Sequence, residues 1–357
     1  MNMALISTPL AVRAVDLGDL GERTRIAGYV RGHADATPFH LPEWSIAVAR
    51  GCGQRAHTLI AEKADGSIAG YVPLTEVSSP LFGRALVSNG FAVGGGILAD
   101  NDTAVRALGD AAWALAQDLN CPTLELRGPD PAGPDWAVDT DIYLGFKRDL
   151  AADDEAELLA IPRKQRAEVR KSLDLDLQVT VGSGKADQAA HYAVYAESVR
   201  NLGTPVFPAR LFREVLKEFG DAADILTVRS GGKAVASVLS LYFNGIVYPY
   251  WGGGTAAARA LRANDRMYFA LMGHARAKGC TAFDFGRSKA GTGPAAFKKN
   301  WGFPGVSLMY VKRAASEGAF REINPLNPRY RLKIEVWKKL PLWVANLVGP
   351  HISRGLG

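Results

Sequence analysis

The sequence predicts a mixed α/β fold built from two similar halves, because one order of features occurs twice along the chain. Each half contains a triple glycine, a stretch with helical periodicity, a cysteine and a short strand-like segment. These features lie at 94–96, 103–119, Cys121 and 124–126 in the first half, and at 252–254, 264–278, Cys280 and 283–285 in the second. The repeated order predicts a duplicated α/β unit, in which one copy keeps the chemistry and the other is a scaffold or substrate platform.

The composition is that of an ordinary globular protein with a mild excess of positive charge. The chain has 357 residues, of which 48% are hydrophobic and 22% are charged, and this favours about two domains with ample core. The formal net charge of +6 indicates phosphate, nucleic acid or a membrane surface as a partner. A soluble enzyme whose pI happens to be basic explains the same charge.

The distribution of cysteine and histidine argues against several kinds of site. Three cysteines lie far apart without C-x-x-C spacing, so we expect reduced thiols in a cytoplasmic protein rather than zinc or disulfides. Six histidines show no metal-ligand spacing, and there is no G-x-S-x-G elbow or Walker loop. Metal-dependent and nucleotide hydrolases are therefore not expected. The sequence also predicts no signal peptide and no membrane span.

Turn and cap signals predict the elements of the first half. Apolar runs on both sides of Asp65-Gly66 predict a β-hairpin, and helical spacing after Asp102 or Thr103 predicts a capped helix. In order, the predicted elements are a helix entered at 38–44 and ending at Arg50, hairpin strands at 58–63 and 68–74, a strand at 85–88, the helix 103–119, the strand 124–126 and a strand at 143–150 that closes the first domain.

The second half is predicted to begin with a helix over 153–173 that is interrupted near Pro162, since proline lacks the N–H that a helix interior needs. Asn264 or Asp265 is predicted to cap the last long helix, and Gly279 to end it. The other predicted elements are a strand at 179–181, helices at 188–201 and 208–219, strands at 224–229, 234–243 and 246–250, and a buried strand at 281–285.

Three segments in this series of elements point to a known family. They are a basic helix at 163–172, the Phe-Asp-Phe-Gly-Arg-Ser of 283–288 and the Phe-Lys-Lys-Asn-Trp-Gly of 297–302. Together they resemble the FemAB family, acyltransferases with two tandem GNAT-like (acyl-CoA N-acyltransferase) domains. Its best-known members add amino acids from aminoacyl-tRNA to peptidoglycan precursors. The C-terminal segments 337–342 and 347–350 are similar to the FemAB-related branch associated with exosortase (PEP-CTERM) and exopolysaccharide loci.

The resemblance implies that the chain is divided into three parts. Residues 1–150 would be a GNAT-like scaffold or substrate platform, and residues 151–320 a GNAT-like active domain. Residues 321–357 would be a basic amphipathic tail. The sequence shows no long helical arm of the kind that some tRNA-using members of the family insert.

The basic helix is the predicted binding site for an acceptor phosphate. Arg163, Arg166 and Arg170 recur at three- and four-residue spacing and share one face, with Lys164 beside them. Guanidinium groups suit phosphate because each presents a planar fork of donors. A nucleotide-diphosphate sugar or a polyprenyl-diphosphate sugar, the latter lipid-linked, would supply that phosphate. The alternative is a solvated helix face paired with acids such as Glu168.

Lys298 and Asp284 are the predicted catalytic residues. The resemblance implies an important lysine at position 298, where an ammonium would stabilise a developing oxyanion or a phosphate. Asp284 alternates with two phenylalanines on a strand, and its carboxylate would deprotonate the acceptor amine or hydroxyl, or orient Arg287 or a backbone turn. The alternative for Lys298 is a plain surface lysine.

Four further residues are predicted to bind the acceptor. Tyr250 and Trp251 end a strand just before the second triple glycine, where aromatic faces would stack on a sugar or base or would only fill the core. Arg287 would bind substrate or pair with Asp284. Phe297 is included because it adjoins the predicted catalytic lysine.

The donor stays open between aminoacyl-tRNA and acyl-CoA, and neither a tightly bound cofactor nor a metal is expected. GNAT enzymes that use acetyl-CoA hold its pyrophosphate with a glycine-rich loop at a helix start. The matching stretch here, 259–265, has no glycine, which argues against ordinary CoA binding. Arg259, Arg262 and Arg266 are instead predicted to contact an anionic donor.

The tail combines basic and apolar residues. Arg329, Arg331, Lys333, Lys338 and Lys339 accompany tryptophans and aliphatic residues, a composition typical of a membrane interface. A helix that packs on the second domain explains the apolar residues equally well.

The combined hypothesis is an enzyme in the cytoplasm, peripheral at the inner face of the membrane. It would be an acyltransferase or aminoacyltransferase acting on an amine or hydroxyl of a cell-envelope or exopolysaccharide sugar precursor. The alternatives are a CoA-dependent N-acetyltransferase and a non-catalytic module that binds an anionic polymer.

Overall fold

The computed structural model describes residues 10–316 and 328–356, and the chain folds into two compact units. Of the described residues, the first unit comprises 10–140, 309–316 and 355–356, and the second comprises 141–308 and 328–354. Each unit contains a mixed sheet and a hydrophobic core of its own.

Residues 10–140 form seven strands and three helices. They are β1 (Ala11–Ala14), α1 (Leu20–Gly32), α2 (Pro42–Cys52), β2 (Arg55–Glu62), β3 (Ile68–Ser79), β4 (Gly83–Ser88), β5 (Leu98–Ala99), α3 (Asp102–Asp118), β6 (Thr123–Leu126) and β7 (Ala137–Asp139). The predicted hairpin is confirmed, since β2 and β3 pair antiparallel and the Lys63 N–H donates to the Ser67 carbonyl at 2.9 Å across the turn.

Residues 141–316 and 328–356 supply the remaining elements. They are β8 (Tyr143–Asp149), α4 (Asp154–Ala160), α5 (Arg163–Leu173), β9 (Gln178–Gly182), α6 (Lys185–Leu202), α7 (Ala209–Phe219), β10 (Ala223–Ser230), β11 (Lys233–Phe243), β12 (Ile246–Gly254), α8 (Ala263–Ala277), β13 (Ala282–Lys289), α9 (Gly293–Asn300), β14 (Gly305–Ser307), β15 (Tyr310–Ala314), α10 (Pro328–Lys339) and α11 (Leu342–Ser353). The predicted interruption near Pro162 is confirmed, because α4 and α5 end and begin on its two sides.

The strands of the two sheets lie in matching spatial order. The strand order is β1-β2-β3-β4-β6-β15-β7 in the first sheet, where β5 also pairs with β3, and β9-β10-β11-β12-β13-β8-β14 in the second. Each sheet has one parallel pair at the matching place, β4 with β6 and β12 with β13, and α3 or α8 makes the connection. The duplicated mixed α/β fold predicted from the sequence is confirmed.

One strand in each sheet comes from a distant part of the chain. The prediction that 143–150 closes the first domain is wrong, because β8 pairs with β13 and β14 in the second sheet. The matching place in the first sheet is filled by β15, which pairs with β6 and β7. Phe146 is buried in the second core and Val311 in the first. The compact units therefore change over at 140 and 308 rather than at the predicted 150 and 320.

The starts of the two connecting helices also differ from prediction. The cap of α3 is Asn101 rather than Asp102 or Thr103, because its side-chain oxygen accepts the Ala104 N–H at 3.0 Å. Helix α8 begins directly after Arg262, whose backbone is left-handed with φ 51°, and no side chain caps it. Asn264 and Asp265, the predicted caps, already lie in its first turn.

The C-terminal helices pack on the second unit through α6. The Arg200 guanidinium donates to the Lys338 carbonyl at 3.1 Å, and the Ser353 hydroxyl donates to the Val206 carbonyl at 2.8 Å. The predicted tail starts at 321, but residues 321–327 and the side chains of Arg329 and Arg331 lie outside the described part.

Candidate active site in the second unit

Strands β12 and β13 separate soon after they meet. They pair in parallel at two positions, Ile246 with Ala282 and Val247 with Phe283. Beyond these positions β12 continues against β11 as far as Gly254, and β13 continues against β8 as far as Lys289. The strands thus leave a gap between 248–254 and 284–289, which we call the β12–β13 opening. A gap of this kind can accommodate an extended ligand beside the strands.

A β-bulge in β13 places Asp284 at the start of this opening. The pairing of β13 with β8 shifts between Asp284 and Arg287, and Gly286 adopts a left-handed φ of 66° that favours glycine. The Gly286 N–H donates to the Asp284 side chain at 2.7 Å. The carboxylate is therefore fixed by the bulge that follows it.

Lys298 fixes the same bulge from the other side. Helix α9 carries this lysine, and its Nζ donates to the carbonyls of Phe285, Gly286 and Arg287 at 2.6, 3.2 and 2.9 Å. An ammonium has three N–H groups, so the three carbonyls use all of them. Burial lowers the pKa of Lys298 to about 8. In this arrangement the lysine holds backbone, and direct contact with an oxyanion stays a prediction.

The environment of Asp284 raises the pKa of its carboxyl group above the ordinary value. Burial raises the pKa of Asp284, while the Gly286 N–H and the positive charges of Lys147 and Lys298 oppose that rise. Lys147 lies directly across from Asp284 on β8. A carboxylate with a raised pKa is better able to take up a proton at neutral pH, as a general base must.

The aromatic residues predicted to stack on substrate pack mainly on one another. Trp251 is buried, and its ring centroid lies 4.8 Å from that of Phe212, which fits the core alternative. Phe297 is half-buried and packs among other aromatic rings of the second unit. Its neighbours are Tyr268, Phe285 and Trp301. Tyr250 is half-exposed beside Trp251.

Arg287 lies just after the bulge. Its guanidinium carbon is 4.5 Å from the centroid of the Tyr143 ring, a cation–π distance. The structure thus places Arg287 near Asp284 along β13, with its side chain against an aromatic residue of β8.

The loop between β12 and α8 is joined to the basic helix. The Arg262 guanidinium forms a 2.5 Å ion pair with Glu168 of α5 and donates to the Arg259 carbonyl at 3.0 Å. One turn later in α8, Asp265 accepts from the Gln165 side chain at 2.6 Å, and burial raises the pKa of Asp265 to about 6. Of the three predicted donor-binding arginines, Arg262 therefore already has an acidic partner.

Arg259 and Arg266 differ from Arg262 in this respect. Arg259 is exposed and Arg266 is half-buried. Within residues 10–316 and 328–356, neither side chain forms an ion pair. Arg266 lies in the first turn of α8, where the N-terminal dipole favours an anion, and Arg259 lies in the loop that precedes this helix.

Helix α5 turns most of its positive charge to solvent. Arg163, Lys164 and Arg170 are exposed, while Arg166 is half-buried and its Nε donates to the Ile161 carbonyl at 3.2 Å. In the part of the chain that the structure describes, none of these four side chains forms an ion pair. Glu168 instead pairs with Arg262 and with Lys171. The arginines are therefore available to an anionic ligand.

The matching opening in the first unit is filled by the chain itself. Arg127, at the end of β6, is buried and donates to the carbonyls of Asn89 and Ala92 at 3.1 and 2.7 Å. Gly96 of the first triple glycine lies so close to the Arg127 carbonyl that a side chain would not fit. Glu125 pairs with Arg127 at 3.1 Å. Sequence reasoning missed Arg127, since an arginine after a strand resembles a surface residue.

Comparison with known proteins identifies the domain that contains this site. A family described as the acetyltransferase (GNAT) domain matches residues 162–299. The second unit carries a GNAT domain. The match covers α5, the β12–β13 opening and Lys298, so these parts of the candidate site all lie inside the matched GNAT domain. No match is found among curated proteins.

Solved structures show the tandem GNAT-like fold over most of the chain. A structure of FemX has a TM-score of 0.66 at 14% identity and covers 84% of this chain and 96% of its own. A tandem GNAT protein from the clavulanic acid biosynthesis pathway has a TM-score of 0.53 at 13% identity and covers 87% and 100%. The C-terminal domain of a proposed lysylphosphatidylglycerol synthetase from Agrobacterium fabrum has a TM-score of 0.56 at 12% identity and covers 84% and 93%. At these identities the likeness shows the fold.

The described residues offer neither a membrane-spanning helix nor a cluster of metal ligands. No helix in that part of the chain is long and apolar enough to cross a membrane. No group of three or more histidine, cysteine, aspartate or glutamate side chains among those residues is arranged to hold a metal ion.

Proposed function

We propose that the protein is an acyltransferase that moves an acyl or aminoacyl group to an amine or hydroxyl of a cell-envelope or exopolysaccharide sugar precursor. One observation carries the proposal. Within a GNAT domain, Asp284 lies at the start of the β12–β13 opening and is fixed there by a bulge that Lys298 holds. The first unit has its matching opening filled, which supports a single active site in the second.

In the proposed reaction the acceptor nitrogen or oxygen attacks the carbonyl carbon of the donor. A new C–N or C–O bond forms, and the ester or thioester bond to the carrier breaks. Asp284 takes the proton that the acceptor loses, and the departing carrier oxygen or sulfur takes up a proton. The strand backbone beside the opening positions the acyl chain, and Lys298 keeps the Asp284 carboxylate in reach of the acceptor.

The acceptor is proposed to bind by its phosphate groups to the exposed arginines of α5. A nucleotide-diphosphate sugar or a polyprenyl-diphosphate sugar offers adjacent phosphates that suit guanidinium groups one helical turn apart. The lipid-linked form would place the protein in the cytoplasm at the inner face of a membrane. The link to exosortase and exopolysaccharide systems is part of this proposal and rests on the resemblance of the C-terminal segments.

The charge of α5 gives a direct prediction for the acceptor. The double variant Arg163→Gln/Arg170→Gln should raise the KM for a nucleotide-diphosphate sugar at least about 100-fold, because each of the two lost charge-assisted hydrogen bonds is worth about 1.5–3 kcal/mol. The kcat should stay unchanged, since the phosphates are held equally in the ground state and the transition state. Steady-state kinetics with varied acceptor would measure both constants.

Lys171→Gln is the matched control for this prediction. Lys171 lies on the same helix but pairs with Glu168 at 2.9 Å, so its loss should leave the acceptor KM near the wild-type value. An acceptor KM in the double variant equal to that of the control would contradict phosphate binding by α5.

Aminoacyl-tRNA is the favoured donor, and acyl-CoA is the second candidate. The loop before α8 has a left-handed arginine, paired with Glu168, at a place where CoA-dependent enzymes of this fold have glycines. The relative from Agrobacterium fabrum is named for lysyl transfer to a lipid, which is compatible with an aminoacyl donor. A CoA-dependent N-acetyltransferase is supported by the family description of residues 162–299.

Intact-mass analysis of candidate acceptors tests the proposed function. Nucleotide-diphosphate amino sugars and polyprenyl-diphosphate sugars would be incubated with the protein and either charged tRNA or an acyl-CoA pool. We expect a mass gain that disappears with Asp284→Asn, and the size of the gain identifies the transferred group. No gain with any pairing would reject acyl transfer to this class of acceptor and favour a module that binds an anionic polymer.

A further inference from the structure

Helix α11 has one face packed on the protein and the opposite face exposed. Ala345, Gly349 and Ser353 recur every four residues and are buried, and the last two lie against Val206. On the other side, the side chains of Trp343 and Leu347 are 71% and 64% exposed. We call Trp343, Leu347 and the exposed Val348 the outer face of α11.

Exposed apolar side chains of this size are unusual on a surface helix of a globular protein. A helix that packs on a core normally turns polar side chains to solvent. Here the residues on the solvent side include a tryptophan and two aliphatic side chains that are neighbours on the helix surface. A contiguous apolar patch of this kind indicates an interaction surface.

The charge around the outer face selects the kind of partner. Lys339 lies exposed just before α11 and Arg354 lies exposed just after it. From Leu340 to Leu356 the sequence contains no acidic residue, and over 328–356 it has six basic residues and one acidic residue. A second copy of the same face would meet like charge, which disfavours self-association. An anionic lipid surface matches both the apolar side chains and the positive charge.

We infer that the outer face of α11 is a docking surface for an anionic membrane, with Trp343 and Leu347 entering the headgroup region. Tryptophan is suited to this depth because its ring is apolar and its N–H is polar. The inference rests on the proposed function, since a lipid-linked acceptor requires the enzyme at the membrane. It assigns the contact to one helix face, whereas the sequence pointed only to the tail as a whole.

Vesicle co-sedimentation of the full-length chain tests the inference. The probes are vesicles of phosphatidylcholine with phosphatidylglycerol, and vesicles of phosphatidylcholine alone. Wild-type protein should bind the anionic vesicles, and added salt should weaken that binding because part of the attraction is between charges. The double variant Trp343→Ser/Leu347→Ser should bind at least about 10-fold more weakly, because it removes two large apolar side chains from the contact.

Leu81→Ser is the matched control, since Leu81 is 68% exposed in the first unit and is not part of α11. It should bind vesicles as the wild type does. Circular dichroism melting would show that the double variant is folded, as expected for two exposed side chains. Equal vesicle binding by the double variant and the control would overturn the inference, and so would absence of binding by the wild type.

Sedimentation equilibrium distinguishes membrane docking from self-association through the outer face of α11. A wild-type dimer that the double variant dissociates would assign the outer face to a second copy and would also overturn the lipid assignment. Vesicle binding is measured without donor or acceptor. Failure of the docking surface and failure of the proposed acyl transfer are therefore distinguishable.

Discussion

Replacement of Lys298 by methionine is expected to lower kcat about 100-fold, because a catalytic group displaced by about 1 Å loses roughly that factor. Methionine keeps the length of the side chain but donates no hydrogen bond, so the carbonyls of Phe285, Gly286 and Arg287 all lose their shared partner. The bulge would relax, and Asp284 would move with it through its bond to the Gly286 N–H. Acyl-transfer kinetics with saturating substrates would measure the loss.

Two comparison variants make the Lys298 prediction specific. Lys299→Met changes the exposed neighbour on the same helix and should leave kcat near the wild-type value. Lys298→Arg keeps a cation with several donors and should recover part of the activity. If Lys298→Met and Lys299→Met had the same kcat, the lysine would have no role in placing the carboxylate.

The pH dependence of turnover gives an independent readout of the same group. Burial lowers the pKa of Lys298 to about 8, so the ammonium and its three hydrogen bonds are present below that pH. As the pH rises through about 8 the amine loses a proton and one of its donors. Wild-type activity should fall over that range. The Lys298→Met variant should lack this alkaline fall, because it has no group there to titrate.

The duplicated fold could be predicted from the sequence, because it follows from the order of features along the chain. The two glycine–helix–strand series predict the duplication, and the matching strand orders of the two sheets confirm it. The exchange of β8 and β15 between the two sheets could not be predicted in this way. Phe146 and Val311 are both apolar strand residues that are buried in a core, and such a residue fits an inner strand of either sheet.

The candidate site could likewise be predicted only in part. The motif around Asp284 and the lysine at 298 were found by resemblance, but the contact between Lys298 and three carbonyls has no sequence signature, since every residue has a carbonyl. Gly286 was the one local signal of a bulge. Trp251 could not be assigned to core or ligand, because an aromatic strand residue fits both until its neighbours, such as Phe212, are known.

A second large effect is expected on stability from Glu157, which is fully buried in α4. Its carboxylate pairs with Arg148 of β8, accepts the Ala151 N–H at 2.9 Å and lies 3.4 Å from Arg276 of α8. Glu157→Gln would leave the largely buried Arg148 guanidinium without the charge that balances it, and Arg276 with the exposed Asp154 as its remaining acidic partner. Loss of one partner of a buried pair destabilises by about 3–5 kcal/mol. Urea unfolding followed by fluorescence would measure the shift.

Asp154→Asn is the matched control for Glu157, since Asp154 also pairs with Arg276 but its side chain is 68% exposed. An exposed ion pair contributes about 0–1 kcal/mol, so the control should unfold close to the wild type. An equal loss of stability in both variants would contradict the role of burial.

Because Glu157 ties α4 to β8 and α8, and α5 follows α4 directly after Pro162, the destabilised variant should also bind the acceptor more weakly through the displaced arginines of α5. The control should retain the wild-type acceptor KM, which links the buried ion pair to the position of the phosphate-binding helix.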